Sequence, residues 1–277
     1  MEIAICSYSF HRTMAAGQMD FAGFVSICRD LGCTQLDPWN AHLLPAGKGA
    51  DAICASRNPS QSQFLQPPDM KEVDRIAAIA RTAGLPFGTT AVDGANIYEE
   101  SPGKRAENRA RAYQWLEVAQ RLGAKQVRID AGGPEELSDD AFAIIVEGYT
   151  DLIDRASKQG IEILIENHWG SSIRPENIER FMTAVPRLGL LFDTRNWKAD
   201  THAQAVARCA RFTRATHLKT SEWDAAGNPV DPHLSQAFQS LQEAGYRGVW
   251  GIESVPEDGD EVGGARRTIE LLGRLVK

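Results

Sequence analysis

Four residues of metal-ligand type each close a short apolar run in the second half of the chain. Glu166 stands in Ile-Leu-Ile-Glu-Asn-His, Asp193 in Leu-Leu-Phe-Asp-Thr-Arg-Asn, His217 in Ala-Thr-His-Leu-Lys, and Glu253 in Val-Trp-Gly-Ile-Glu-Ser. They are spaced 27, 24 and 36 residues apart. A barrel of eight strand–helix units, about 250 residues long, averages roughly 30 residues per unit. The spacing therefore puts the four at the same point of four successive units. Three carboxylates and one imidazole converging on one mouth suit a hard or borderline divalent cation. Taken alone, a carboxylate after a strand is more often a helix cap or a salt-bridge partner. A lone strand-end histidine is more often satisfied by a hydrogen bond. Recurrence in four consecutive strands is what favours convergence. Carboxylates crowded there would raise one another's pKa unless a cation compensated.

The elements that must position them alternate along the whole chain. Strand-like runs occur at Ile3–Tyr8, Thr34–Asp37, Phe87–Val92, Gln126–Ile129, Ile161–Ile165, Leu188–Phe192, Arg214–Leu218 and Gly248–Ile252. The second of these is weak because it is polar. Helices are expected to start at caps Asp20, Asp69, Ser101 and Ser138, and near Pro175, Thr201 and Pro232. A last helix covers about Gly263–Leu275. Short apolar strands between helices indicate a parallel sheet buried on both faces. The expected fold is α/β, a (β/α)8 barrel forming one domain over residues 1–277. An open doubly wound sheet usually carries a Gly-rich phosphate turn after its first strand, and Ser-Tyr-Ser-Phe-His stands there instead. Residues 41–68 lack periodicity and form a long loop, a candidate contact between copies of a homo-oligomer.

Composition narrows the function. The chain has 277 residues, 43% hydrophobic and 24% charged, with a formal net charge of −7. The acidic balance speaks against a broad nucleic-acid footprint. Five cysteines without a Cys-x-x-Cys pair read as buried free thiols in a reducing cytoplasm. Neither a signal peptide nor a membrane span is expected from the apolar runs.

Residues that cluster at the C-terminal ends of strands build the sites of such barrels. Here those ends offer Tyr8, His11, Asp37, Trp39, Asp93, Arg128, Asp130, His168, Trp169, Arg195, Asn196, Trp197, Lys219 and Trp223. The tryptophans fill core or wall a sugar ring face, with Arg195, His168 and Lys219 as polar contacts.

Ile-Glu-Asn-His, Phe-Asp-Thr-Arg-Asn, His-Leu-Lys and Gly-Ile-Glu together resemble the motifs of the xylose isomerase-like TIM barrels. That superfamily includes sugar epimerases and isomerases, inosose dehydratases and endonuclease IV. The resemblance spans essentially the whole chain. It implies that Glu166, Asp193, His217 and Glu253 bind one divalent ion. Mn2+ is the first choice, with Mg2+, Co2+ and Zn2+ compatible. It also implies that Glu166 and Glu253 act as an acid/base pair across the substrate. Substrate contacts are expected from His168, Arg195, Lys219, Trp169, Asn196 and Asp37.

Two departures from the family pattern bear on this. Asp37 stands where a Glu is common. Asn196 stands where nuclease-like members carry a further His, which points to one metal. The expected activity is isomerisation or epimerisation of a sugar or keto-sugar. The alternative is a lyase or dehydratase on a keto-inositol or 3-keto-sugar, and a DNA repair nuclease fits the charge poorly. The expected partner is a small carbohydrate, with no nucleic acid and no membrane.

Overall fold

The computed structural model describes residues 1–44 and 66–276. Among these residues seven parallel strands form one curled sheet in the spatial order β1-β7-β6-β5-β4-β3-β2. They are β1 Ile3–Ile5, β2 Thr89–Val92, β3 Gln126–Ile129, β4 Glu162–Glu166, β5 Gly189–Asp193, β6 Thr213–Thr220 and β7 Trp250–Ser254. Among the described residues the helices are α1 His11–Ala15, α2 Phe21–Asp30, α3 Met70–Ala83, α4 Pro102–Leu122 and α5 Asp139–Ser157. They continue with α6 Pro175–Ala184, α7 His202–Cys209, α8 His233–Glu243 and α9 Glu261–Leu275. No described helix is long and apolar enough to cross a membrane.

The caps are those the sequence predicts. Asp20, Asp69, Ser101 and Ser138 each accept backbone N–H groups of the first turn, satisfying donors that have no partner inside the helix. Gly84 and Gly123 end α3 and α4 in the left-handed conformation, at φ 72° and 74°.

The eighth barrel position is filled, but not by a regular strand. Cys6 bridges to Asp37 on one side, while Leu36 and Trp39 bridge to Phe87 and Ala91 on the other. Backbone bonds Ser7 N to Asp37 O (3.0 Å), Gly88 N to Leu36 O (2.9 Å) and Ala91 N to Pro38 O (2.9 Å) close the ring. The expected strand over 34–37 is interrupted for two reasons. The Thr89 N–H goes to the Asp37 carboxylate at 2.9 Å, where a strand would offer a carbonyl. Pro38 then has no N–H to give. Elsewhere the boundaries shift by a few residues. After β1 the chain turns at once into a 3-10 turn over Ser7–Phe10, and β6 and β7 run further than expected. Asn40–Leu43 also form a 3-10 turn. Residues 45–65 of the expected 41–68 loop, on which its interface role rests, lie outside the described residues, as does Cys54.

Alternation along the strands explains the site. Ile163, Ile165, Leu190 and Phe192 face the helices and pack with Trp115, Tyr149, Phe181 and Phe238. Leu164, Leu191 and Ala215 point the other way and meet inside the barrel. Glu166, Asp193 and His217 are each two residues further along, so they share that inward face one pleat higher. Buried apolar plugs lie below, and ionisable groups lie above.

Candidate active site

The inward pleat brings the quartet together. Glu166, Asp193, His217 and Glu253 each offer a ligand atom within 4.8 Å of the others, and all four are buried. His217 Nδ1 lies 2.9 Å from Glu166 Oε1 and 3.0 Å from Glu253 Oε2. Asp193 Oδ1 accepts the backbone N–H groups of Arg195 (2.7 Å) and Asn196 (3.0 Å). Asn167 locks β4 to β5: its amide donates to Asp193 O (2.9 Å) and accepts from Asp193 N (2.8 Å).

Two cations balance these carboxylates, one buried and one half-buried. Arg128 Nε lies 2.9 Å from Glu166 Oε2, and its Nη1 reaches Asp93 (2.7 Å) and Asp130 (3.0 Å). Lys219 Nζ lies 2.9 Å from Asp193 Oδ2 and 2.9 Å from Glu253 Oε1. Burial works against ionised Glu166, yet His217, His168 and Arg128 outweigh it and lower its carboxyl to about 2. Burial likewise opposes ionised Glu253, but Lys219 and His217 hold it well below the usual carboxylate range. Burial opposes the imidazolium of His217, but Glu166 and Glu253 raise it well above its ordinary value.

The donor set fits one divalent cation. Three oxygens and one nitrogen converge, with an oxygen-rich preference for a hard or borderline ion. Glu166 Oε2 and Asp193 Oδ2 are buried, and each has a cation beside it but no aligned hydrogen bond.

A cavity of about 1060 Å³ lies over this cluster. Of the quartet, only Glu253 lines it among the described residues. His168, Trp169, Arg195, Asn196 and Lys219, also named from strand ends, line it. His168 Nδ1 is 3.2 Å from Asp130 Oδ2, which leaves Nε2 as its other polar atom. Its ring stacks on Trp169 at 3.8 Å. Arg195 is anchored by Asp231 (3.1 Å) and Ser221 (2.7 Å).

Asp37 is not at the cavity. Its Oδ1 accepts from Gln35 Nε2 (2.9 Å) and Thr89 N (2.9 Å), so it works as part of the barrel wall. The aromatic wall is also smaller than four tryptophans. Trp39 and Trp169 line the cavity. Trp197 packs on Phe192 at 5.3 Å instead, and Trp223 lies under the Arg267 guanidinium.

Other groups, given no ligand or substrate role from the sequence, surround the quartet. Cys6 lies with His217 and Glu253 in a second buried cluster, and burial pushes its thiol up. Cys6 is the buried free thiol that was expected, and it follows β1 directly, a position the strand-end rule marks. Arg128 carried the plainer signal, a guanidinium inside the apolar strand Gln-Val-Arg-Ile. Arg12 also lines the cavity.

The comparisons with known proteins agree with this architecture. The sequence pattern described as "Xylose isomerase-like TIM barrel" matches residues 46–275. D-allulose 3-epimerase from Methylomonas sp. superposes with a TM-score of 0.72 at 17% identity, over 99% of this chain and 98% of that one. 3-Keto-D-glucoside 4-epimerase from E. coli superposes at 0.67 and 14% identity, over 92% and 94%. The probable 3-DHS dehydratase of petrobactin synthesis from Bacillus anthracis superposes at 0.66 and 13% identity, over 99% of both chains. Among curated proteins no sequence matches. At such identities the structural likeness shows the fold, while the sequence pattern shows the family. The chain belongs to the xylose isomerase-like TIM barrel family.

Proposed function

We propose that the protein is a divalent-metal-dependent isomerase or epimerase of a sugar or keto-sugar. The observation that carries this is the placement of Glu166 and Glu253 on either side of His217, 2.9 and 3.0 Å from the same ring nitrogen. Two carboxylates within one small space, under a cavity with aromatic and polar walls, suit proton transfer at a carbon next to a carbonyl. The names of the similar structures, two of them epimerases, support that chemistry.

Glu166, Asp193, His217 and Glu253 would hold the ion, with Mn2+ first and Mg2+, Co2+ or Zn2+ compatible. When bound, it supplies Lewis-acid stabilisation of the negative charge that develops on substrate oxygens. In this reading one of Glu166 and Glu253 removes the proton and the other returns one. Return to the opposite face of the same carbon epimerises; return to the neighbouring carbon isomerises. His168, Arg195 and Asn196 bind hydroxyls, and Trp169 covers a ring face. The sequence carries no compact Gly-rich phosphate-binding turn, which supports a substrate without a phosphate group.

The experiment is solvent exchange. The protein with Mn2+ and a panel of ketoses and 3-keto-glucosides in deuterated water should place deuterium on carbon. No incorporation anywhere in the panel would sink the reading. The dehydratase alternative has support from the 3-DHS dehydratase likeness. It would show itself as an ultraviolet-absorbing enone.

A further inference from the structure

The quartet already holds a cation of the chain's own. Lys219 follows His217 by two residues on β6, so both side chains share the inward face. Asp193 is paired in register with His217, and Glu253 with Lys219. Lys219 therefore reaches carboxylates on both neighbouring strands, at 2.9 Å each, and a third oxygen, Asn196 Oδ1, at 3.0 Å. Three acceptors around one ammonium satisfy its three donors.

The oxygens are divided between partners. Asp193 Oδ1 is committed to two backbone N–H groups, which leaves Oδ2, the oxygen beside Lys219. Glu253 turns Oε1 to Lys219 and Oε2 to His217. A divalent ion drawing on Asp193 and Glu253 meets oxygens that already have a positive partner. It also enters a space where a fixed like charge lies one carboxylate away, in a buried setting with little screening.

We propose that Lys219 is the resident second cation of this centre. It shares Asp193 and Glu253 with the divalent ion, weakens that ion's binding, and holds the barrel mouth together when no ion is there. The inference rests on the metal reading above, and it assigns Lys219 as a positioning residue rather than as a substrate contact.

The test compares wild type with Lys219→Met and Lys219→Arg. Each is titrated with Mn2+ by calorimetry and melted in EDTA and in saturating Mn2+. Lys219→Met should bind Mn2+ at least about tenfold tighter, because a like charge beside the ion is gone. It should melt several degrees lower than wild type in EDTA and recover in Mn2+. Lys219→Arg keeps the charge and should stay within about threefold of wild-type affinity. If Lys219→Met does not fold, Lys219→Gln removes the charge while keeping a hydrogen-bond donor for the carboxylates and should tighten Mn2+ binding in the same direction. Wild type that binds Mn2+, with Lys219→Met or Lys219→Gln unchanged or weaker, overturns the inference and leaves the metal reading standing. Wild type that binds none of Mn2+, Mg2+, Co2+ and Zn2+ overturns the metal reading, and this inference with it.

Discussion

Arg128 Nε lies 2.9 Å from Glu166 Oε2, with the two side chains 4% and 1% exposed. The same guanidinium also serves Asp93 and Asp130. Removing one partner of a buried pair leaves an uncompensated charge and costs about 3–5 kcal/mol. Arg128→Met should therefore destabilise by that amount in urea unfolding at pH 7. A loss under about 1 kcal/mol would mean that the carboxylates find water or another cation, and that Arg128 does not organise the mouth.

Glu166→Gln and Glu253→Gln keep shape and remove charge. With saturating Mn2+, each should lower net turnover by about 10²–10⁴-fold, the range for loss of a positioned acid or base. The two losses differ in kind. If the carboxylates serve opposite faces, each variant should still wash deuterium into one epimer and not the other. Equal exchange of both epimers in either variant would count against a two-base arrangement.

The quartet was legible because an inward position recurs at the same pleat of four strands, and recurrence survives errors of a few residues in strand ends. The β7 boundary moved from Ile252 to Ser254 without displacing Glu253 from the cluster. Asp37 was not legible in this way. It shares the strand-end position, but its side chain replaces a carbonyl of the barrel ladder, which only the three-dimensional pairing with Thr89 reveals. For Trp197 and Trp223 the strand-end position left core and cavity wall equally open for a related reason. A position after a strand fixes where the backbone is, and loop geometry then decides whether the ring turns to the cavity or the core. The end of the expected first strand, which supplies Tyr8 to the cavity, folds as a 3-10 turn, and α1 directly after it supplies His11 and Arg12.

Asp37 gives a pH prediction. Burial pushes its carboxyl up to about 6 from an ordinary 3.8, against the Thr89 N–H, His217 and Gln35. The folded pKa lies above the unfolded one, so the folded state holds the proton more tightly. The stability this contributes is full below about pH 4 and is lost as pH rises through about 6. Asp37→Asn removes the ionisation while its amide oxygen still accepts from Thr89. At pH 8 in EDTA, Asp37→Asn should be more stable than wild type by up to about 3 kcal/mol. The difference should shrink towards zero by pH 4. A variant less stable than wild type at pH 8 would show that ionised Asp37 has a compensating partner.

Trp169 is 41% exposed and stacks on His168, a placement that suits a ring face better than core. Trp169→Ala should raise KM for the substrate about 5–20-fold through lost apolar contact, with kcat changed less than about twofold. Melting temperature should not move. A fall in kcat with unchanged KM would mean that Trp169 acts by orienting His168.

Gly170 follows that pair and fixes the β4 loop against the β3 loop. Its φ is +58°, and an added Cβ would lie 2.3 Å from Gly133 O and 3.3 Å from Gly132 O. The Gly132 carbonyl is itself held by Ser171 Oγ at 2.6 Å, so the β3 loop has little room to give way. Gly160 is the control, with φ +72° and open space where a Cβ would go. Alanine at either position pays the left-handed penalty of about 1–2 kcal/mol. Only Gly170→Ala adds a backbone clash. It should therefore lose at least about 2 kcal/mol more than Gly160→Ala in parallel urea unfolding. It should also raise KM, because the His168–Asp130 contact spans the same two loops at 3.2 Å. Equal losses from the two variants would show that the loops separate freely, and that this junction does not set the position of His168.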